Sequence, residues 1–247
     1  MTEIIKNDNY AAYLASILTR NGLTAYATEE ICSKLSAFCE FLFEQNKLFN
    51  LTAIKTYESA ALLHFADSLT LCEYIPDGSS ILDIGSGAGF PAIPIAIARP
   101  DVQVTALDST MKRVNFINSA AGMLGLTNIN AVCHRAEDVT GGDFKESFDI
   151  VTARAVASYP ILLELALPAV KVGGRFVAMK SKDVSRETEG IGRVLKQLAI
   201  SAPELHVSQI SNDDEVFERC IVEVAKSGPT PNKYPRAFAQ IKKKPIF

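Results

Sequence analysis

Between residues 10 and 72 the apolar positions recur every three or four residues, and from residue 80 onward they gather into short runs separated by turns. Tyr10, Tyr13, Leu14, Ile17 and Leu18 predict a first helix over 10–19, stopped by Asn21-Gly22. Ile31, Leu35, Phe38 and Leu42, with Phe43 beside them, predict a longer helix from Glu29 to Lys47 whose stripe faces a core. Asn50-Leu51-Thr52 breaks the pattern. A third helix is expected from Tyr57 to Cys72, with Leu62, Phe65 and Leu69 on one side. His64, Asp67 and Ser68 fall on or near another side, three and four residues apart; on spacing alone that side reads as a solvated face with a His–Asp pair.

After Pro76-Asp77-Gly78 strands alternate with helices. Strands are expected at 81–84, 102–107, 129–133, 148–153 and 174–179, and helices at 91–98, 111–124 and 160–170. Alternation of this kind implies a parallel sheet covered on both faces by right-handed crossovers, an α/β fold. A further helix over 185–198 leads to strands at 204–210 and 218–225, with Asn212-Asp213-Asp214 as the turn of an antiparallel hairpin at the sheet's end. From Ser227 onward Pro229, Pro231, Pro235 and Pro245 predict an extended tail without regular structure. The expected organisation is an N-terminal helical extension (1–75) packed on a core (76–226), followed by a C-terminal tail (227–247).

Charge changes the view of that tail. Residues 226–247 hold Lys226, Lys233, Arg236, Lys242, Lys243 and Lys244 and no acid, so the net charge of −3 conceals −9 over residues 1–225. A basic end of this kind can hold a phosphate backbone. At 48% apolar and 21% charged residues the rest is ordinarily globular. The five cysteines form no C-x-x-C pair and are expected to be reduced and buried; the three histidines are too scattered for a metal motif. No apolar run reaches the ~18 residues of a membrane span and no signal-peptide core opens the chain, so a cytoplasmic protein without membrane contact is expected.

The chemistry concentrates at Asp83-Ile84-Gly85-Ser86-Gly87-Ala88-Gly89-Phe90-Pro91, a strand end, a glycine turn and a helix start. Such a turn lies outside the carboxyl end of its strand, where ligands of α/β sheets bind. A dinucleotide site wants G-x-G-x-x-G, whereas the spacing here is G-x-G-x-G. Asp108, at the end of the second strand, can accept from both ribose hydroxyls of either ligand. Asp83, two residues before Gly85, is expected to face the ligand, where an anion opposes a pyrophosphate and favours the ammonium and sulfonium of S-adenosylmethionine. At later strand ends Ala136-Glu137-Asp138 can bracket the adenine. Arg154 reads equally as a surface cation or a crevice residue, and Lys180 is a weaker case of the same kind.

Asn50-Leu51-Thr52, His64-Phe65-Ala66-Asp67-Ser68, the glycine turn, Asp108-Ser109, Lys112-Arg113 and Ala153-Arg154-Ala155 together resemble the bacterial RsmG family, also called glucose-inhibited division protein B. The resemblance runs from about residue 46 to 180 and resumes at Lys233-Tyr234-Pro235-Arg236 and Lys243-Lys244-Pro245; where the family's tail usually has a Gly-x-Pro turn, this chain has Ala239-Gln240-Ile241. It implies a class I S-adenosylmethionine-dependent methyltransferase, with a Rossmann-like, seven-stranded, mostly parallel sheet. The implied reaction is methylation of N7 of a guanine, position 527 in the 530 loop of 16S ribosomal RNA. The implied cofactor contacts are Gly85, Phe90, Asp108, Ser109, Thr110, Ala136, Glu137 and Arg154, to which the turn adds Asp83, Gly87 and Gly89. Asp67 and Arg154 are the catalytic candidates. Arg154 is left between the cofactor carboxylate and the RNA.

Guanine N7 carries a free lone pair, so no general base is required, and alignment is the enzyme's task. RNA contacts are expected at His64, Ser68, Lys112, Arg113 and Lys180 and from Lys233, Arg236, Lys242, Lys243 and Lys244 of the tail. Phe90, Tyr159 or His64 is expected to stack on the base. The expected partner is 16S ribosomal RNA or the small subunit, with no obligate protein partner. Three other readings remain: a methyltransferase of another substrate, a nicotinamide oxidoreductase, and a non-enzymatic RNA-binding assembly factor.

Overall fold

The computed structural model describes residues 10–154, 156–180 and 184–247, so Ala155 of the Ala153-Arg154-Ala155 segment lies outside the described residues. The amphipathic start of the chain folds into α1 (Tyr10–Arg20) and α2 (Glu29–Phe49). Thr28 caps α2 by accepting from the Ile31 amide, Glu29 and Glu30 occupy its first turn, and Asn50 ends it at φ 48°. Leu35, Phe38 and Leu42 are buried as expected, while Ile31 and Phe43 are half-buried.

The helix expected over 57–72 runs unbroken to Tyr74 but is not uniform. α3 (Tyr57–Ala60) passes into a π-helical stretch (Ala61–Ala66), then α4 (Asp67–Leu69), then a 3-10 turn (Thr70–Tyr74). Wide turns of this type shift side chains around a helix and recur at functional sites. The solvated face predicted for His64, Asp67 and Ser68 is corrected here, since all three are buried. Spacing along one helix does not report what lies across from it; here that is the end of the sheet.

The sheet follows from aliphatic runs with β-branched residues. Its elements are β1 (Ser80–Ile84), α5 (Ala92–Ala98), β2 (Gln103–Asp108), α6 (Met111–Met123), β3 (Ile129–Cys133), α7 (Ala136–Val139), β4 (Phe148–Arg154), α8 (Tyr159–Ala166) and β5 (Val170–Lys180). Then come α9 (Val184–Glu187), α10 (Leu195–Leu198), β6 (Glu204–Ser211), β7 (Val216–Ala225) and α11 (Phe238–Lys243). The strand order is β3-β2-β1-β4-β5-β7-β6, parallel from β3 to β5, with β7 antiparallel to both its neighbours. Ile84 pairs with Leu107 and Ala153, and Arg154 with Met179, so the carboxyl ends share one edge. Because β7 runs the other way, its early residues lie there too: Lys180 pairs with Cys220.

Two apolar cores sandwich the sheet. Ile81 packs with the N-terminal helices, α5 and α6; Leu82 and Ile84 pack with α8 and the C-terminal elements. Two expectations fail in this half. The helix over 185–198 is broken at Gly190, which takes φ 89°. The tail is not without regular structure: α11 spans Ala239-Gln240-Ile241, and Tyr234 and Ile241 are buried. Nor is the whole tail a free cationic arm. The Lys226 ammonium is buried against Glu146 and the Leu167 and Val170 carbonyls, and Arg236 is bound to the buried Glu164. None of the five cysteines forms a disulfide, and all but the half-buried Cys133 are buried. Among the described residues no helix is long and apolar enough to cross a membrane.

Candidate functional site

Two cavities open along the carboxyl edge. The first, about 310 Å³, lies over β1, β2 and β3. Gly85, Asp108, Ser109, Ala136 and Glu137 of the expected cofactor set meet on its wall, together with Ile84, Leu107, His134, Arg135, Val156 and Leu165. Gly85 has φ 72°, and a Cβ there would stand 2.5 Å from Val156 Cγ2, so only glycine fits this turn. Asp108 holds the turn in shape: its Oδ2 accepts from the Gly87 amide at 3.0 Å and its Oδ1 from the Thr110 amide at 2.9 Å. It therefore spends two lone pairs on the backbone and keeps others for ligand hydroxyls. Arg113, expected at RNA, lies 3.4 Å from Asp108 and lines this cavity instead.

Gly87, Gly89, Thr110 and Phe90 are not on that wall. Gly87 and Thr110 act through Asp108, and the Cβ direction of Gly89 points into Ile93 Cδ1 at 2.6 Å, on the core side. Phe90 packs against Phe38 and Phe65 and forms the floor under His64. Asp83 needs a larger correction. It is fully buried beneath the turn, and among the described residues neither carboxyl oxygen has a partner in good hydrogen-bond geometry. Strand alternation turns it with Ile81 toward the helical cover, beside Thr152 of β4, whose hydroxyl is likewise without a partner among the described residues.

Burial raises the Asp83 carboxyl from 3.8 to about 7, with Arg154 opposing the shift and Asp108 adding to it. A carboxyl whose folded value is raised keeps its proton in the native state after the unfolded chain has released it. Stability is therefore lost as pH rises from the unfolded value through the folded one. Relative to Asp83→Asn, the wild type is expected to lose on the order of 4 kcal/mol between about pH 4 and about pH 8. Urea melts across that range check this, and parallel stability curves would reject it.

The second cavity, about 430 Å³, lies over β4, β5 and β7 and is lined by Ile54, Leu63, His64, Asp67, Arg154, Met179, Lys180 and Arg219. Asp67 accepts from Arg219 Nε at 2.8 Å and from Arg154 Nη1 at 3.3 Å. Arg154 also donates to the Leu63 carbonyl at 3.0 Å and stands 3.4 Å from His64 Nδ1. A guanidinium can only donate, so the lone pair of His64 sits on Nδ1 and its proton on Nε2, which reaches Thr52 Oγ1 at 2.9 Å. The imidazole stacks on Phe90 with centroids 4.1 Å apart and planes 11° from parallel. Burial, with help from Arg154, pulls His64 down from 6.5 to about 3, so it is neutral at physiological pH. Arg154 is thus a residue of this cavity and not of the first. Arg219 was not expected at all, because the hairpin reading did not place β7 beside β5.

The remaining RNA candidates divide. Ser68 is completely buried, out of reach of a phosphate. Lys180 is bound to Glu187 at 2.6 Å and to the Ala157 carbonyl, so it ties a loop to the sheet. Arg236 is spent on Glu164 at 2.6 Å. Lys112 lies over the Phe49 ring at 4.0 Å and Lys233 over Tyr234 at 5.1 Å, both exposed. Lys242 and Lys243 at the end of α11, and Lys244 just past it, are exposed. Tyr159, one of the candidates for stacking on a base, is completely buried against Phe176.

A seven-stranded sheet with one reversed strand, a glycine turn after β1 and an acid at the end of β2 defines the class: this is a class I S-adenosylmethionine-dependent methyltransferase. Solved structures share that fold. The precorrin-6y C5,15-methyltransferase of Geobacter metallireducens superposes with TM-score 0.51 at 17% identity, over 66% of this chain and 88% of that one. M. jannaschii TYW2 in complex with AdoMet does so with TM-score 0.51 at 15% identity, over 65% and 74%.

Sequence relatives narrow the class. The family model for GidB, rRNA small subunit methyltransferase G, matches residues 31–216. The ribosomal RNA small subunit methyltransferase G of Desulforamulus reducens is 42% identical over 224 residues, 89% of this chain and 92% of that protein. Its namesake from Macrococcus caseolyticus is 39% identical over 222 residues, again 89% and 92%. The chain belongs to the rRNA small subunit methyltransferase G family.

Proposed function

We propose that this protein transfers a methyl group from S-adenosylmethionine to N7 of a guanine in the 530 loop of 16S ribosomal RNA, on the RNA or the small subunit, in the cytoplasm. The observation that carries the reading is the character of the second cavity. Its histidine is neutral with a value near 3, and its one carboxylate is held between two arginines. Neither group is suited to removing a proton near neutral pH. A nucleophile that arrives with a free lone pair, as guanine N7 does, needs no base.

When bound, S-adenosylmethionine supplies an electrophilic methyl on sulfur. Gly85, Asp108, Ser109, Ala136 and Glu137 would hold it: the Gly85 backbone lines the cavity beside Val156 and the Asp108 carboxylate offers acceptors for hydroxyls. In the neighbouring cavity the flat His64–Phe90 pair supports the base, and Arg154 and Arg219 present donors to its acceptor edge, where arginine meets guanine O6. Positive charge moves onto the purine as N7 is methylated. Asp67 sits beside that edge and opposes the charge in a water-poor site. Orientation contributes the rest, with roughly 7–11 kcal/mol available in well-aligned systems.

Lys242, Lys243 and Lys244 would bind flanking phosphates. Their joint replacement by alanine is expected to weaken RNA binding and make log affinity against log salt shallower by about 2; filter binding from low to moderate salt measures it, and an unchanged slope would reject the assignment. The function itself is tested with labelled S-adenosylmethionine and small subunits lacking the modification. Label is expected on N7 of the 530-loop guanine. Label elsewhere, or none with a protein that binds the cofactor, would overturn the reading.

A further inference from the structure

The wall of the first cavity is completed from the far end of the chain. Phe238, the first residue of α11, lines it together with Ala136 and Glu137 after β3 and Leu165 of α8. The approach to Phe238 is clamped. The Arg236 amide and Nε donate to Glu164 Oε1 at 2.9 and 2.8 Å, and its Nη2 donates to Oε2 at 2.6 Å. Glu164 is buried in α8, next to Leu165. Pro235 lies so close to Gly141 that a Cβ there would come within 2.7 Å of it. The Tyr234 hydroxyl is bonded to Gln197. Beyond Phe238, Ile241 is buried, and Arg236 Nη2 also donates to the Lys244 carbonyl at 3.0 Å, which ties the last basic residue back to the clamp. Lys242 stands one turn beyond Phe238, on the same side of the helix.

We infer that residues 234–244 form a strap that couples cofactor occupancy to RNA affinity, with Phe238 as a wall for the adenosine part of the cofactor and Lys242–Lys244, at the end of the same short helix and just past it, as the phosphate contacts. The inference rests on the methyltransferase reading above and extends it. A purine ring offers a flat apolar face, and an aromatic side chain at a half-buried position gains from covering it. α11 has only six residues, too few to hold its own shape in water. A ligand that packs on Phe238 therefore steadies the lysines that follow. Coupling of this kind is reciprocal: whatever factor the cofactor adds to RNA affinity, RNA adds to cofactor affinity.

Titration calorimetry with S-adenosylhomocysteine on wild type, Phe238→Ala and Phe238→Leu tests the wall. The alanine variant is expected to bind about tenfold more weakly and the leucine variant, which keeps the strap packed, about threefold. Filter binding to unmodified small subunits, with and without saturating S-adenosylhomocysteine, tests the coupling. Wild type is expected to bind RNA severalfold more tightly with the ligand present, and Phe238→Ala to show no such gain. Unchanged ligand affinity in both variants overturns the wall, and equal wild-type RNA affinity with and without ligand overturns the coupling. A wild type that binds no S-adenosylhomocysteine, or no subunits, overturns instead the reading beneath them.

Discussion

Replacing Asp67 by asparagine is expected to slow methyl transfer about a hundredfold while cofactor affinity stays within about threefold. The carboxylate is almost fully buried and is the shared acceptor of Arg154 and Arg219. It has two tasks. It keeps two like-charged guanidiniums side by side at the base-binding edge, and it opposes the positive charge that moves onto the purine. Asparagine keeps the size and one acceptor but removes the charge, so the loss appears mainly in the chemical step. Alanine would be a poorer probe, because stripping a buried cation of its partner costs about 3–5 kcal/mol in stability and confuses folding with catalysis. Cofactor affinity is spared because Asp67 lines the second cavity and not the first. Single-turnover transfer with labelled cofactor, beside calorimetry with S-adenosylhomocysteine, checks both halves. An unchanged rate rejects the role of Asp67, and a parallel loss of affinity rejects the separation of the two cavities.

Gly85→Ala is expected to weaken cofactor binding at least about a hundredfold, and Gly89→Ala to leave it nearly unchanged. Both glycines have positive φ, so alanine is strained at either position by roughly 1–2 kcal/mol. The difference lies in what the new methyl meets. At Gly85 it stands 2.5 Å from Val156 Cγ2, and both residues line the first cavity. Relief requires the turn to shift, which disturbs the Gly87 amide on Asp108, or Val156 to move into the ligand's space. At Gly89 the methyl meets Ile93 at 2.6 Å on the core side, an overpacking cost of typically 1–3 kcal/mol in stability. Calorimetry and thermal melts of the two variants separate the cases. Equal losses of affinity would mean that the loop moves as one body.

The strands and most of the helices were legible because each depends on a pattern local to its own segment. Gly85, Asp108, Ser109, Ala136 and Glu137 were legible for a related reason: in a parallel sheet the residues just after each strand arrive at a common edge without further information. Arg219 was not. It reaches that edge only because β7 is inserted, reversed, between β5 and β6. Phe238 was hidden because the prolines around it read as an extended tail. The surface attributed to Ser68, Lys180 and Arg236 failed because sequence counts charges and hydroxyls, while burial and ion pairing decide which of them remain available.

By itself, then, the sequence determined the order of elements, the glycine turn with Asp108 behind it, and the family. Those are properties of periodicity, of backbone conformations only glycine adopts easily, and of motifs close along the chain. Only the tertiary structure decided which polar groups share a cavity. It moved Asp83 from the ligand to a buried site, placed Arg154 in the second cavity beside Asp67, and joined Asp67 to a partner 152 residues away. Electrostatic partnership depends on distance through space and on exclusion of water, and neither is written in the spacing of residues along a chain.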